Sequence, residues 1–177
     1  MTTTEAAPTV VPDFGDDEAT RKICFVCSKG NLDMAYPALI MANGALSEGV
    51  EVDIFFTFWG MDMINKGTWN KLQFSMLGNT AMHMPGSSKH LPQGLGGLPG
   101  MTAFATHMLK KQIADLEVPE VPEFIEMLHD MGARFWACKM SVDMMGLKKE
   151  DMFDGVEDII NVAEFIEVTD GAQVIFV

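Results

Sequence analysis

Positive charge is scarce in this chain: 12 Lys and Arg stand against 25 Asp and Glu, for a formal net charge of −13. That balance argues against nucleic acid or an anionic membrane surface as a partner, since both require clustered cations. Any anionic substrate has to be held by local groups. Long apolar runs are also lacking; none reaches the ~18 residues of a membrane-spanning helix, so no stable membrane insertion is expected. Cysteines number only three, an odd count, and Met1 to Thr20 shows neither a basic nor an apolar leader region. A disulfide framework is therefore excluded, and a reducing, cytoplasmic setting is expected. The chain contains no Walker loop, no G-x-G-x-x-G, no G-x-S-x-G, no zinc-ligand spacing and no solenoid repeat. Nucleotide-binding and hydrolase chemistry thus lack their usual marks, and neither a cofactor nor a metal is called for.

What is present is enough for one ordinary domain: 177 residues, 48% hydrophobic and 21% charged, can bury a real core. Residues 1–20 are small, acidic and proline-containing and read as a disordered tail. The α/β domain then occupies 21–177. Lys22–Cys27 is a β-type run, Ser28–Asn31 a turn, and Leu32 to Glu48 a helix closed by Gly49. Val50–Phe58 is a second, almost wholly apolar strand, the mark of a parallel βαβ unit covered on both faces. A short helix is expected around Met61–Lys66. Residues 67–100 form a long insertion rich in Gly, Pro, Met and Leu, too apolar for a free linker, and read as a lid or an interface. Helices follow at Thr102–Asp115 and Pro119–Met131, then a strand up to Cys138 and a helix ending at Gly146. A helical turn at Lys148–Phe153, a strand at Val156–Ile160, a helix at Val162–Thr169 and a strand at Gln173–Val177 complete the chain. The pattern predicts a doubly wound, mostly parallel sheet of about five strands with helices on both faces.

The stretch Ala133–Leu147 changes period at Cys138. Its first half is a short aromatic strand, whereas Met140, Met144 and Leu147 recur at helical spacing. A thiol at the carboxyl end of a parallel strand, opening a helix, lies at the rim where α/β sheets bind ligands. The helix dipole and Lys139 both favour its thiolate, and the position reads as semi-exposed. The alternative is a buried cysteine acting as a small hydrophobe.

Cys24 and Cys27 have dithiol spacing, but residues three apart on a strand point to opposite faces. Cys24 therefore reads as core. Cys27 ends the first strand on the same rim as Cys138, which leaves it as either a structural residue or an auxiliary, resolving thiol. Sixteen methionines, with Met82-His83-Met84 among them, suggest Cu(I) ligation, yet their spread along the chain fits a flexible core filler better. The histidines are far apart in sequence, with His107 and His129 inside helices, and read as surface or core residues.

The opening strand and turn through Asn31-Leu32-Asp33, the strand Glu51–Gly60 with its Phe-Phe-Thr-Phe-Trp-Gly run, the element Leu98–Met101, and the segment Ala137–Gly146 with Cys-x-x-Ser-x-x-x-Met-Gly together resemble the DsrE/DsrF-like sulfur-relay family, in its peroxiredoxin-like sulfurtransferase branch. The resemblance implies a flavodoxin-like fold, homo-oligomers, and a cysteine that carries sulfur as a persulfide or thiosulfonate. By motif position that cysteine is Cys138. It also implies partners such as TusA-like or rhodanese-like sulfur carriers and heterodisulfide-reductase-like sulfur oxidation systems. Some relatives use a second cysteine, which has no secure counterpart here. Ser141, one turn into the helix, is expected to cap it, to lie exposed, or to contact the bound sulfur. The expected function is a cytoplasmic sulfurtransferase or sulfur carrier. A thiol peroxidase, or a non-enzymatic oligomeric interaction module, is the alternative.

Overall fold

The structure is a computed structural model that describes residues 21–77, 79 and 92–177. The expected acidic tail, the Met82-His83-Met84 triplet and much of the 67–100 insertion lie outside the described residues. Five parallel strands form one sheet: β1 Lys22–Cys27, β2 Glu51–Phe56, β3 Arg134–Cys138, β4 Val156–Ile160 and β5 Gln173–Phe176, in the spatial order β4-β3-β2-β1-β5. The order follows from the connections. Helices α1 (Leu32–Ser47), α3 (Val121–Asp130) and α4 (Lys139–Met145) come from crossovers running one way along the sheet, and α5 (Val162–Val168) returns the chain to the far edge of β1. Right-handed crossovers in opposite directions place their helices on opposite faces, so the sheet is doubly wound. Helix α2 (Met101–Asp115) lies further out and packs on Phe74 and Met76 through Ala105.

The two faces are unequal. Phe25, Ile54, Phe56 and Phe135 face α1 and α3, where they pack with Leu39, Ile125 and Leu128 into the main core. Each of these fully buried side chains contributes roughly 1.5–3 kcal/mol of hydrophobic stabilisation. The other face holds a smaller cluster, Cys24, Val26, Phe55, Cys138 and Ile160, under α5, whose Phe165 ring packs on Phe55 at 4.4 Å between centroids. Asp53 is fully buried on this thin side. It is matched by Arg134, which donates from Nε and Nη2 at 3.0 and 2.9 Å, by Trp136 Nε1 at 2.7 Å, and by Lys22 Nζ at 3.4 Å. Lys22 also donates to the Val168 carbonyl at the end of α5. A buried carboxylate is tolerable only with such partners, and here they tie three strands and α5 together.

The observed elements depart from the expected ones at two informative places. Strand β2 stops at Phe56, and Phe58 takes φ 46°, outside the range most residues occupy. The chain therefore turns into a 3-10 helix at Phe58–Met63, three residues before the expected Met61–Lys66 helix. In α4 the residues buried are Ser141 and Val142, whereas Met140 and Met144 face solvent. Their helical spacing thus marks a solvent-facing stripe of α4. Gly146 closes α4 at φ 64° as expected.

Candidate functional site: a hydrogen-bonded thiol at the end of β3

Cys138 is both the last residue of β3 and the cap residue of α4. Phe56 pairs with Ala137 across the sheet, so one step further along β2 sets Thr57 beside Cys138. The Phe58 turn then brings the chain back over the site. Its amide donates to Ser141 Oγ at 2.7 Å, and the Thr57 and Ser141 hydroxyl oxygens lie 3.3 Å apart. The Thr57 and Ser141 hydroxyls, with the backbone N–H groups of Ser141 and Met140, are the groups that favour the charged form of the Cys138 sulfur.

The electrostatic consequence is specific to this thiol. Burial alone would push the Cys138 pKa up, but the Ser141 and Thr57 hydroxyls and the two backbone donors outweigh it and hold the group below the ordinary thiol value. Cys24 and Cys27 have no such donors. Burial, with Asp53 nearby, pushes Cys24 up to about 12, and burial with the neighbouring Cys24 does the same to Cys27. Of the chain's three cysteines, the site activates one.

The other expected site residues fall as follows. Cys138 is more enclosed than semi-exposed, at 7% exposure, because Thr57, Phe58 and Ser141 close around it. Cys27 is not brought to it: Cys27 packs in the main core, on the opposite face of the sheet and two strands away. Two strand spacings amount to roughly 9–10 Å, beyond the ~7 Å Cα separation that a disulfide can bridge. Lys139 points to solvent and pairs with Asp143 at 3.6 Å, so the hydrogen bonds, and not this ammonium, lower the thiol pKa. Ser141 is fully buried, which overturns the expectation of exposure, and its hydroxyl accepts from the Phe58 amide in place of capping α4. Thr57 was missed by sequence reasoning. It could have been found as the β2 residue that follows the strand end next to Cys138. Among the described residues no cluster of three or more His, Cys, Asp or Glu is arranged to hold a metal, and no helix is long and apolar enough to cross a membrane.

Fold and candidate site together describe a flavodoxin-like α/β protein with one cysteine of lowered pKa on the carboxyl rim of its sheet. The chain belongs to the DsrE/DsrF/DrsH-like family, whose model matches residues 19–176. It is 36% identical over 138 residues to the sulfur carrier protein DsrE2 of Allochromatium vinosum, covering 77% of this chain and 86% of that one. It is 30% identical over 169 residues to the uncharacterized protein YrkE of Bacillus subtilis, covering 90% and 99%. Among solved structures, the fold is similar to MTH1491 of Methanobacterium thermoautotrophicum (TM-score 0.53, 11% identity, 89% of this chain and 99% of that one). It is likewise similar to the ychN protein of E. coli (TM-score 0.50, 14% identity, with the same coverage).

Proposed function

We propose that this protein is a cytoplasmic, homo-oligomeric sulfur carrier of the sulfurtransferase type. In this reading it holds sulfane sulfur on Cys138 and passes it to a partner carrier of TusA-like or rhodanese-like kind. The observation that carries the proposal is the place of Cys138 at the carboxyl end of β3 and the start of α4, beside the linked Thr57, Phe58 and Ser141, where these groups hold its pKa below the ordinary thiol value. The name of the Allochromatium relative, a sulfur carrier protein, supports it.

The chemistry follows from the donors. A pre-formed Cys138 thiolate needs no general base. It attacks the outer sulfur of a donor persulfide, forming Cys138–S–SH and releasing the donor's thiolate; no electron is gained or lost overall. From thiosulfate the same attack would release sulfite. In the second half an acceptor thiolate attacks the outer sulfur, and Cys138 Sγ becomes the leaving group. The hydroxyls and amides that favoured the thiolate as nucleophile now stabilise it on departure. Thiol peroxidase chemistry would need a resolving thiol, Cys27 or an external one; Cys27 lies on the far face of the sheet, which leaves an external thiol for that reading.

The reduced protein, incubated with polysulfide, thiosulfate or tetrathionate and weighed intact, is expected to gain a sulfur adduct that dithiothreitol removes and Cys138→Ser lacks. An unchanged mass, or an adduct that persists in Cys138→Ser, rules the assignment out. Peroxide consumption no faster than that of free cysteine is expected in parallel; a much faster rate would favour the peroxidase reading.

A further inference from the structure

The turn that leaves β2 carries Phe58 to the thiol site, and further along it walls a cleft. Trp59 and Asp62 of the 3-10 helix, with Gly30 and Asn31 between β1 and α1 and with Lys71 and Gln73 beyond, line a space of about 320 Å³. Clefts of this size at the carboxyl ends of parallel strands are where α/β folds take small molecules. Thr57, Phe58, Cys138 and Ser141 do not line it.

Gly30 is what lets the turn close down on the start of α1. A Cβ there would run into the Trp59 carbonyl oxygen and lie 3.2 Å from Asp62 Oδ2, so these two acceptors meet the chain at one point. Asp62 is half-buried. Its backbone carbonyl accepts from the Thr68 hydroxyl at 3.1 Å, but its carboxylate has neither a hydrogen bond nor an ionic partner among the described residues. Asn31 makes no side-chain cap bond to α1, and the Lys71 ammonium is held by the Gly67 carbonyl at 2.8 Å. A carboxylate drawn partly out of water without a donor is costly. A cation supplied from outside removes that cost, and the net charge of −13 attracts one. A hard metal ion would ask for about six or more oxygens, and among the described residues no group of three or more His, Cys, Asp or Glu is arranged to hold one.

We propose that this cleft binds a small organic cation of the amidinium or guanidinium class, with its forked N–H groups on Asp62 and the Trp59 carbonyl and its flat body on the Trp59 indole, which is 63% exposed. A planar fork offers parallel donors to neighbouring acceptors, which the point charge of an ammonium does not. Tryptophan is also the side chain whose face best holds a cation. Binding here does not depend on the role of Cys138.

Benzamidine, a flat amidinium, and benzamide, its neutral counterpart of the same shape, test the site by heteronuclear NMR on the reduced, labelled protein at near-physiological salt. The chain has three tryptophans, and Trp59→Leu identifies the indole N–H signal to follow. Benzamidine is expected to move it with an affinity roughly tenfold above that of benzamide. In Asp62→Asn, which keeps the shape of the side chain, that advantage should vanish. In Trp59→Leu, followed through the Gly30 and Asn31 amides, benzamidine should bind about threefold more weakly. Glu126→Gln, which removes an exposed acid of α3, should leave the affinity unchanged. Equal affinity for the two probes, or an advantage that survives in Asp62→Asn, overturns the site. So does an equal loss in Glu126→Gln, which would mark attraction to the net charge alone. Should Asp62→Asn fold poorly, Trp59→Leu decides, since Trp59 is solvent-exposed; unchanged benzamidine affinity there overturns the site. Movement of the same signals by Ca²⁺ with no response to benzamidine overturns the organic cation.

Discussion

The Phe58 amide donates to the Ser141 hydroxyl oxygen at 2.7 Å, and this bond takes one acceptor site of the hydroxyl, leaving its proton to point to Thr57 Oγ1, 3.3 Å away, or to the Cys138 sulfur. A serine hydroxyl has one proton and two acceptor sites; with one acceptor site occupied by a fixed N–H, the directions open to that proton are narrowed. Phe58 reaches that place only through its unusual backbone, φ 46°. Backbone strain of this sort costs on the order of 1–3 kcal/mol and is retained where the surroundings enforce it, commonly at functional sites.

Ser141→Ala should therefore weaken thiol activation and the fold together. Removing the hydroxyl takes a donor from the sulfur and leaves the Phe58 N–H unpaired, at a cost of roughly 1–3 kcal/mol in stability. The pH midpoint of Cys138 alkylation should move upward, measured by iodoacetamide rate against pH. Thr57→Val should shift it in the same direction. Because the two hydroxyls lie 3.3 Å apart and share one sulfur, the double variant should depart from the sum of the single effects. A midpoint unchanged in both single variants would remove these hydroxyls from the account.

Thiol titration should mark the cysteines apart in a second way. Cys24 and Cys27 are pushed up to about 12, so the folded chain keeps protons that the unfolded chain releases near pH ~8.5. Their contribution to stability is whole below that value and is lost as pH rises towards 12, at about 1.4 kcal/mol per pH unit for each thiol. Cys138 acts with opposite sign. Its lowered pKa contributes stability above the unfolded value, and that part disappears as pH falls through the folded one. Urea unfolding of Cys138→Ser at about pH 8.5 and about pH 10.5 should show a steep alkaline loss, reduced in the further variant Cys27→Ala. At pH near 7, limiting iodoacetamide should label Cys138 and neither of the others.

The buried carboxylate of Asp53 offers a stability test independent of the thiol. Asp53→Ala leaves Trp136 Nε1–H, the Arg134 guanidinium and Lys22 without their shared acceptor. Because Asp53 is fully buried, a loss of about 3 kcal/mol is expected by chemical denaturation. Arg134→Met should cost less, since Lys22 and Trp136 still serve the carboxylate and the Arg134 side chain is partly solvated. Trp136 fluorescence should report the lost contact in Asp53→Ala.

How much of this was legible in the sequence depended on whether one element sufficed to decide it. The strands were, because β1 and β2 are short apolar runs bounded by Gly and Asn. The place of Cys138 at a strand-to-helix handover was too, because the period changes there. The opposite facing of Cys24 and Cys27 follows from the two-residue repeat of a strand alone, and the structure places them in different clusters. Cys27 was harder to judge, because it shares the rim with Cys138, and only the face each occupies separates them. Thr57 and Ser141 could not be given their roles, because these depend on register between β2 and β3 and on the backbone of Phe58, neither of which leaves a periodic trace. The facing of Met140 and Met144 was not legible either: helical spacing of apolar residues looks the same whether the stripe faces a core or solvent.

Two glycine substitutions should have opposite signs. A Cβ on Gly60 would lie 2.1 Å from the Cys27 carbonyl oxygen and 2.7 Å from its carbon, both backbone atoms. Such atoms move only if the segments that carry them move. The segment at stake is the turn that begins at Thr57, whose amide itself bonds the Cys27 carbonyl oxygen at 3.0 Å. Gly60→Ala should thus pull the Phe58 amide off Ser141, raise the Cys138 alkylation midpoint, and destabilise the fold by roughly 1–3 kcal/mol. Gly44, inside α1, has nothing within 4 Å of the corresponding position. Gly44→Ala should raise stability by about 0.5–1 kcal/mol through helix propensity alone, and it should leave the alkylation midpoint where it was. Thermal unfolding with the pH–rate profile of both variants separates the two effects. A Gly60→Ala protein that loses stability but keeps the native midpoint would show that the thiol site tolerates movement of the turn.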